Sequence, residues 1–252
     1  MEFPVYLWIG PWQIHPHLFF ESLAYAIAFR LVLLNSRKDT IAPTQRSSVI
    51  VGGMVGALVG AKVLVLLQHI DVIGSSWELL LLLLLQGKTV VGALLGGLIG
   101  VELTKKMIGV KRSTGDAFVY PLIVGTAVGR MGCFLTGLSD RTYGIATTLP
   151  WGVDFGDGIS RHPTQLYEII FLLGLMIFLK IRSRYHRQEG DLFKFYMIAY
   201  LSFRLLIDFI KPDFHPIVGF SAIQIACLLG LLYYYRSIPA MFALTRSAKI
   251  IP

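Results

Sequence analysis

This sequence contains few charged residues. They account for 15% of its 252 residues, whereas a typical soluble domain contains about a quarter. Hydrophobic residues account for 55%, and their runs suit membrane-crossing helices rather than the short alternating strands of a barrel. The composition therefore excludes an ordinary soluble protein. It predicts an all-α integral membrane protein in which residues 1–252 form a single polytopic membrane domain.

Cysteine is also scarce, since the sequence contains only Cys133 and Cys227, both in apolar runs. No disulfide framework is implied by so small a number. The first 17 residues lack the basic segment and the small-residue cleavage site of a signal peptide, so we expect them to be retained. Four histidines near the predicted membrane interfaces lack the spacing of metal ligands: His15, His17, His69 and His215. We expect neither a metal nor a cofactor.

Seven apolar segments come close to the roughly 20 residues that a helix needs to cross a bilayer. They are about Leu18–Leu34, Ser48–Leu67, Val90–Leu103, Phe118–Leu138, Leu166–Ile181, Leu192–Ile210 and Val218–Tyr235. A further run, Leu79–Leu85, is too short to cross alone. It is predicted to form a re-entrant or interfacial helix.

Lysine and arginine are unevenly divided between the loops on the two sides of these spans. Of 23 such residues, 14 fall in loops on one side and 4 in loops on the other. By the positive-inside rule, the richer side faces the cytoplasm. The pattern predicts an N-terminus outside, a cytoplasmic C-terminus, and a long outward loop, about residues 139–161, between the fourth and fifth helices. It also accounts for most of the net charge of +8, so no nucleic-acid partner is required.

The outward loop joins two polar motifs. Gly129–Phe134 reads GRMGCF near the end of the fourth span, and Arg161–Glu168 reads RHPTQLYE at the start of the fifth. Ionisable residues at membrane depth cost at least about 2.5–3.5 kcal/mol each, so they are kept mainly where they have a role. Long ordered loops are usually functional. We therefore expect the functional site where these two motifs meet.

Two arginines in the spans suit an anionic ligand. Arg130 lies between Gly129 and Gly132, which leave its planar fork of donors open to a phosphate. Its alternative is snorkelling to the interface. Arg204 lies four residues before Asp208, so it either forms an intrahelical pair or offers its remaining donors to an anion. Together they predict a phosphate-bearing partner, bound where low dielectric strengthens each contact.

Other polar residues of the motif region have two interpretations each. His162 could transfer a proton near neutral pH, or could simply cap the next helix. Glu168 requires a partner inside the membrane, for which Arg161 and Arg204 are the natural choices. Lys62 could be a third phosphate contact or could snorkel. Cys133 could be a nucleophile, but without an adjacent base in the sequence we expect a buried, inert thiol.

Glycines recur in the second and third predicted spans: Gly52, Gly53, Gly56, Gly60, Gly92, Gly96, Gly97 and Gly100. Small residues at every fourth position allow helix backbones to approach closely. We therefore interpret these glycines mainly as a packing surface, with a backbone wall for a lipid head group as the alternative.

On these residues, the chain resembles the prolipoprotein diacylglyceryl transferases of bacterial inner membranes over essentially its whole length. The resemblance is carried by Gly10-Pro11, the glycine-rich third span, Gly129–Phe134, Tyr143-Gly144, Arg161–Glu168 and Phe203-Arg204. It implies seven spans with the N-terminus outside, and a multi-pass protein of the bacterial inner membrane. The implied reaction moves the diacylglyceryl group of phosphatidylglycerol to the thiol of a lipobox cysteine in a preprolipoprotein. A thioether forms and glycerol phosphate is released.

The resemblance also assigns roles by position. Arg130 and Arg204 match the family's essential arginines, while Tyr143 and Gly144 match the turn after the arginine motif. The predicted catalytic residues are Arg130, Arg204, His162 and Asp140. The predicted substrate-binding residues are Gly129, Gly132, Tyr143, Gly144, Arg161, Gln165, Tyr167, Glu168 and Lys62. The implied partners are phosphatidylglycerol, lipobox-containing preprolipoproteins and membrane lipids.

This sequence departs from the family pattern on the side that would activate the thiol. Val91 stands where a histidine or tyrosine is common, and Cys133 replaces an asparagine. A motif carboxylate is also missing, for which Asp140 could substitute. Either His162 or Asp140 then takes over, or the acceptor is not a lipobox cysteine. The alternatives are a divergent paralogue with another acceptor, and a non-catalytic phospholipid-binding or transport protein.

Overall fold

The computed structural model describes residues 2–36, 42–70, 76–184, 188–212 and 219–239. Within them the chain is mostly helical, as its composition predicts. Eight α-helices follow one another in these ranges: α1 (Pro16–Ser36), α2 (Pro43–Gln68), α3 (Trp77–Gln86), α4 (Val90–Ile108), α5 (Val119–Thr136), α6 (Thr164–Arg182), α7 (Asp191–Ile207) and α8 (Ala222–Tyr233). Two small antiparallel hairpins accompany them: β1 (Leu7–Ile9) with β2 (Trp12–Ile14), and β3 (Val153–Asp154) with β4 (Ser160–Arg161).

Four helical segments are long and apolar enough to cross a membrane: Pro16–Leu34, Pro43–Gln68, Gly115–Asp140 and Thr164–Arg182. A fifth crossing results if α3 and α4, which meet at a bend of 71°, form one broken span. The run Leu79–Leu85 lies within α3, so its helical state is confirmed, and its re-entrant placement stays a prediction.

The other two predicted spans correspond to shorter helices. Helix α7 has 17 residues and includes charged side chains, and α8 has 12 residues. The seven-span count, the orientation and the outward side of the loop therefore stay predictions. Several residues on which the span and orientation predictions depend lie outside the described ranges: Arg37, Lys38, Arg187, Val218, Arg246 and Lys249. His215 lies outside them as well.

Helices α2 and α4 pack with their backbones in close contact. A Cβ added at Gly56 would lie 2.3 Å from the carbonyl oxygen of Gly96, and one added at Gly60 would lie 2.3 Å from that of Gly92. No side chain fits in such a space, because contacts this short do not occur for real Cβ atoms. The packing interpretation of the glycine repeats is confirmed.

Substituting Gly56 with alanine should destabilise the protein. The new methyl group would force α2 away from α4, and overpacking of this kind costs about 1–3 kcal/mol. The measurement is the thermal unfolding midpoint of the purified protein in detergent. Gly174→Ala is the matched control, since no described atom outside its own stretch of α6 lies within 4 Å of a Cβ built at this position. Equal midpoints for the two variants would contradict the expectation.

Helix α1 approaches the second half of α5 through another glycine. A Cβ at Gly132 would lie 2.8 Å from Cβ of Phe20 and 3.3 Å from the carbonyl oxygen of Pro16. The first turn of α1 therefore lies directly against the end of α5. This contact brings the side chain of His17 close to the polar end of α5.

The segment between α5 and α6 is folded against the helix ends. It starts with a 3-10 turn, Gly137–Asp140, and ends in the β3–β4 hairpin. The backbone N–H of Ile145 donates to the carbonyl of Ile210, just after α7, at 2.8 Å, and that of His162 donates to the carbonyl of Ile145 at 3.1 Å. The loop therefore joins the start of α6 to the end of α7, where the two polar motifs meet.

Candidate active site

Two buried guanidinium groups from different helices meet at one carboxylate. Glu168, in the second turn of α6, places Oε2 at 2.9 Å from Nε of Arg130 on α5 and at 3.3 Å from Nη1 of Arg204 on α7. The exposed fractions of the three residues are 9% for Arg130, 2% for Glu168 and 4% for Arg204. The expected convergence of the two arginines is thus observed. Sequence reasoning found Arg204 as a partner of Glu168 but missed Arg130.

Further polar contacts fix Glu168 and Arg204 in place. The hydroxyl of Tyr200 donates to Oε1 of Glu168 at 2.6 Å. Nη2 of Arg204 lies 3.6 Å from Oδ1 of Asp208, so the expected pair between these two residues is present. Asp208 in turn accepts a hydrogen bond from Ser221, whose side chain also caps the start of α8. The carboxylates therefore connect α5, α6, α7 and α8.

The arginines retain unused hydrogen-bonding capacity. Nε of Arg130 is close to Glu168, but its N–H is not directed at the carboxylate oxygen, and Nε of Arg204 likewise makes no hydrogen bond with any described residue. Buried donors are normally satisfied. A guanidinium has five N–H groups and matches the oxygens of a phosphate with two of them. The arrangement can therefore accept an anion beside Glu168.

A second polar cluster lies next to Arg130 and consists of His17, Cys133 and Asp140. Nδ1 of His17 is 2.9 Å from Oδ1 of Asp140, and one ligand atom from each of the three residues lies within 4.8 Å of the others. Cys133 Sγ is 3.9 Å from Nη1 of Arg130. Cys133 is buried, as expected. Sequence reasoning did not find this cluster, because His17 is far from the other two residues along the chain.

Asp140 is tied to the start of α6 through Thr142. The Thr142 hydroxyl donates to Oδ2 of Asp140 at 2.5 Å and accepts from Nε2 of Gln165 at 3.0 Å. Gln165 is almost fully buried, and its Oε1 has no hydrogen-bond partner among the described residues. These hydrogen bonds connect Gln165, in the Arg161–Glu168 motif, through Thr142 and Asp140 with His17 in the first turn of α1.

His162 makes its side-chain contact with Tyr167 and not with Asp140, the other group considered for thiol activation. Its Nδ1 lies 3.1 Å from the hydroxyl of Tyr167, which also accepts from Nε1 of Trp151 at 2.8 Å. The imidazole that contacts Asp140 is His17 instead. His162 and Tyr167 therefore connect the loop with α6, and their predicted catalytic and substrate-binding roles stay predictions.

Of the two partners considered for Glu168, Arg204 is the one observed, and Arg161 pairs elsewhere. Its Nη1 lies 2.6 Å from Oδ1 of Asp157, and its guanidinium covers the ring of Tyr143 at 5.1 Å. The hydrogen bond from Arg161 lowers the pKa of the Asp157 carboxyl below its ordinary value. The hairpin turn is close enough to satisfy Arg161 locally, which explains why it does not reach the buried carboxylate.

The remaining predicted site residues have identifiable surroundings. Outside its own stretch of helix, no atom of the described residues lies within 4 Å of a Cβ built at Gly129, so there is open space beside Arg130. At Gly144 a Cβ would lie 2.7 Å from Cβ of His162, so this glycine allows the loop to pack against the motif. Lys62 donates to the carbonyls of Leu85 and Gly87, at 3.2 and 2.7 Å, and thereby holds the end of α3.

The sequence matches the family model described as prolipoprotein diacylglyceryl transferase over residues 4–241. The chain belongs to this family. In the transferase family, the protein named phosphatidylglycerol–prolipoprotein diacylglyceryl transferase of Bordetella parapertussis is 32% identical over 228 residues, which are 83% of each chain. The one of Clostridium tetani is 35% identical over 169 residues, 64% of this chain and 66% of the relative. That of Thermotoga maritima is 26% identical and covers 96% of this chain and 84% of the relative.

The family match includes the parts of the chain that form both clusters. The buried arginines and Glu168 lie in the motifs that carry the resemblance to the transferases. Val91, at the position where that resemblance implies a histidine or tyrosine, is 1% exposed in the helical core and has no ionisable group. Any group that activates a thiol in this member must therefore come from elsewhere.

Proposed function

We propose that this protein transfers the diacylglyceryl group of phosphatidylglycerol to the thiol of a lipobox cysteine in preprolipoproteins. The observation that carries the proposal is the meeting of Arg130 and Arg204 at one buried carboxylate, with guanidinium donors left unused. The names of the relatives specify the same lipid and the same class of acceptor. We also propose a bacterial inner-membrane location with seven spans and the N-terminus outside.

The two arginines would bind the phosphodiester of the lipid. In the reaction, the acceptor thiolate attacks the glyceryl carbon that bears the phosphate, the C–S bond forms and the C–O bond breaks. The leaving glycerol phosphate takes the electron pair and gains a negative charge. Preorganised cations stabilise charge that develops in the transition state without reorganising at that moment. Glu168 prepares them by holding both guanidinium groups in position before the lipid arrives.

The open space at Gly129 supports entry of the lipid head group beside Arg130. Gly129 and Gly132 flank this arginine, and only Gly132 is occupied by a close neighbour, Phe20. Gly132 packs against the first turn of α1, and its predicted contact with the substrate stays a prediction. The lipid tails would remain among the apolar helices, whose outer surfaces carry many exposed large hydrophobic residues.

The direct test is an assay with purified protein, phosphatidylglycerol vesicles and a synthetic lipobox peptide. We expect a peptide heavier by one diacylglyceryl group and an equal amount of glycerol phosphate. The matched control is the same peptide with serine in place of the lipobox cysteine, which should remain unmodified. Neither product from the cysteine peptide would contradict the proposal, and tight phosphatidylglycerol binding without turnover would favour the non-catalytic alternative.

A further inference from the structure

The cluster formed by His17, Cys133 and Asp140 has the composition and geometry of a metal site. The three residues come from the first turn of α1, the last turn of α5 and the 3-10 turn that follows α5. Their ligand atoms lie within 4.8 Å of one another. We propose that this cluster binds one zinc-class divalent cation and that the bound ion takes the acceptor thiol as its fourth ligand.

The distances fit such an ion after small side-chain rotations. With zinc bonds of about 2.0–2.3 Å, two ligand atoms of a tetrahedral site are about 3.3–3.6 Å apart. Nδ1 of His17 and Oδ1 of Asp140 are already 2.9 Å apart. Three protein ligands with one open position are typical of catalytic rather than structural zinc sites. A sulfur and an imidazole nitrogen favour zinc or a similar transition metal over magnesium or calcium.

The surroundings of the cluster supply the outer contacts that metal ligands usually have. The second ring nitrogen of His17, Nε2, lies 3.3 Å from Oε2 of Glu21, and a carboxylate on the far nitrogen orients a ligating histidine. Glu21 is itself held by Tyr25, at 3.0 Å, and by Lys88. The Thr142 hydroxyl occupies Oδ2 of Asp140 and leaves Oδ1 directed at His17. Residues other than the three ligands therefore orient His17 and Asp140.

The charges of the site also balance before the acceptor binds. One carboxylate and one thiolate then compensate the divalent cation, while the histidine ligand is neutral. Cys133 is 8% exposed, and its sulfur lies 3.9 Å from Nη1 of Arg130, so the cluster adjoins the buried arginine. The His17 side chain is 29% exposed, so one edge of the site can be reached from outside.

The role of the ion in transfer rests on the proposed function. A thiol that coordinates a zinc-class ion loses its proton, which passes to solvent. The resulting thiolate would form the C–S bond as the glyceryl C–O bond breaks, and the glycerol phosphate would leave with the electron pair. The contact between Cys133 and Arg130 places the thiol-activating cluster directly beside the phosphate-binding cluster. The metal would thus activate the thiol, which Val91 cannot do because it has no ionisable group.

Cobalt binding tests the site without reference to transfer. Full-length protein in detergent, stripped with a chelator, is titrated with Co²⁺ while absorbance is recorded. We expect one equivalent to bind, with a sulfur-to-cobalt charge-transfer band and the visible bands of a four-coordinate ion. Cys133→Ser should abolish the charge-transfer band, while the matched Cys227→Ala and His15→Gln variants should retain it. Glu21→Gln should weaken binding by about 10–100-fold.

Different outcomes separate the two proposals. The metal site is wrong if the wild-type protein binds no cobalt, or if Cys133→Ser retains the charge-transfer band. If the stripped protein transfers at the full rate, the role of the metal in transfer is wrong while the transferase proposal holds. If cobalt binds at one equivalent but the metal-loaded protein forms no product, the metal site holds and the transferase proposal fails.

Discussion

Arg130→Ala is expected to lower kcat/KM for diacylglyceryl transfer by about 10²–10³-fold, the loss typical of removing one donor to a developing charge. The variant removes the guanidinium that has Glu168 as its only carboxylate partner among the described residues. Arg204, by contrast, shares its charge between Glu168 and Asp208. Arg130 is thus the arginine more available to the lipid phosphate. Because it would stabilise charge that develops in the transition state, its removal should lower kcat more than it raises KM.

The comparison is made under initial-rate conditions with phosphatidylglycerol vesicles and a lipobox peptide. Arg130→Lys separates charge from shape, because lysine retains the cation but lacks the planar fork that contacts two phosphate oxygens. It should recover only part of the activity. Arg112→Ala is the control for loss of a guanidinium elsewhere, since Arg112 pairs with Glu189 in exposed loops. Near-normal kcat/KM for Arg130→Ala would show that the phosphate is bound by other groups.

The sequence was sufficient to predict the helical membrane class, the glycine packing and the convergence of the two arginines. Each of these depends on a local rule. Apolar run length predicts a helix, glycine at every fourth position predicts close backbones, and an ionisable group in an apolar run predicts a buried partner. Arg204 and Asp208 were found because four residues separate neighbours on one helix face.

The contacts that sequence reasoning missed depend on how distant segments of the chain pack together. His17 reaches Asp140 only because Gly132 lets the first turn of α1 lie against α5. No spacing rule connects residues so far apart, and a histidine without a nearby ligand is indistinguishable from an interfacial one. Likewise, Glu168 pairs with Arg130 rather than Arg161 because the β3–β4 hairpin provides Asp157 for Arg161. The predicted count of seven crossings stays a prediction for a related reason, since the shortness of α8 and the bend between α3 and α4 are not encoded in hydropathy alone.

Glu168→Ala is expected to be the most destabilising single substitution in the cluster. Removing one partner of a buried ion pair costs about 3–5 kcal/mol, because it leaves an uncompensated charge in a low-dielectric interior. Here two guanidinium groups would lose their shared carboxylate, and the Tyr200 hydroxyl would lose its acceptor. The expected result is a large drop in the thermal unfolding midpoint of the protein in detergent, together with loss of activity.

Glu189→Ala is the matched control for loss of a paired glutamate. Glu189 forms a salt bridge with Arg112, and both side chains are more than half exposed, so solvent screens the pair and we expect little loss of stability. Glu168→Gln keeps the shape and one acceptor oxygen while removing the charge, so its midpoint should lie between those of Glu168→Ala and the wild type. A loss for Glu168→Ala no larger than that for Glu189→Ala would contradict a structural role for this carboxylate.

The effect of added lipid on the unfolding midpoint of Glu168→Gln tests whether the two arginines bind a phosphodiester. If the phosphodiester binds the same two guanidinium groups, it can replace part of the missing negative charge, and a ligand that binds only the folded state stabilises it. Phosphatidylglycerol should then raise the unfolding midpoint of Glu168→Gln by more than it raises that of the wild type. Phosphatidylcholine, whose head group is neutral overall, should raise it less. Equal shifts of the unfolding midpoint with both lipids would mean that the stabilisation comes from the bilayer in general. They would contradict binding of an anionic head group by these two arginines.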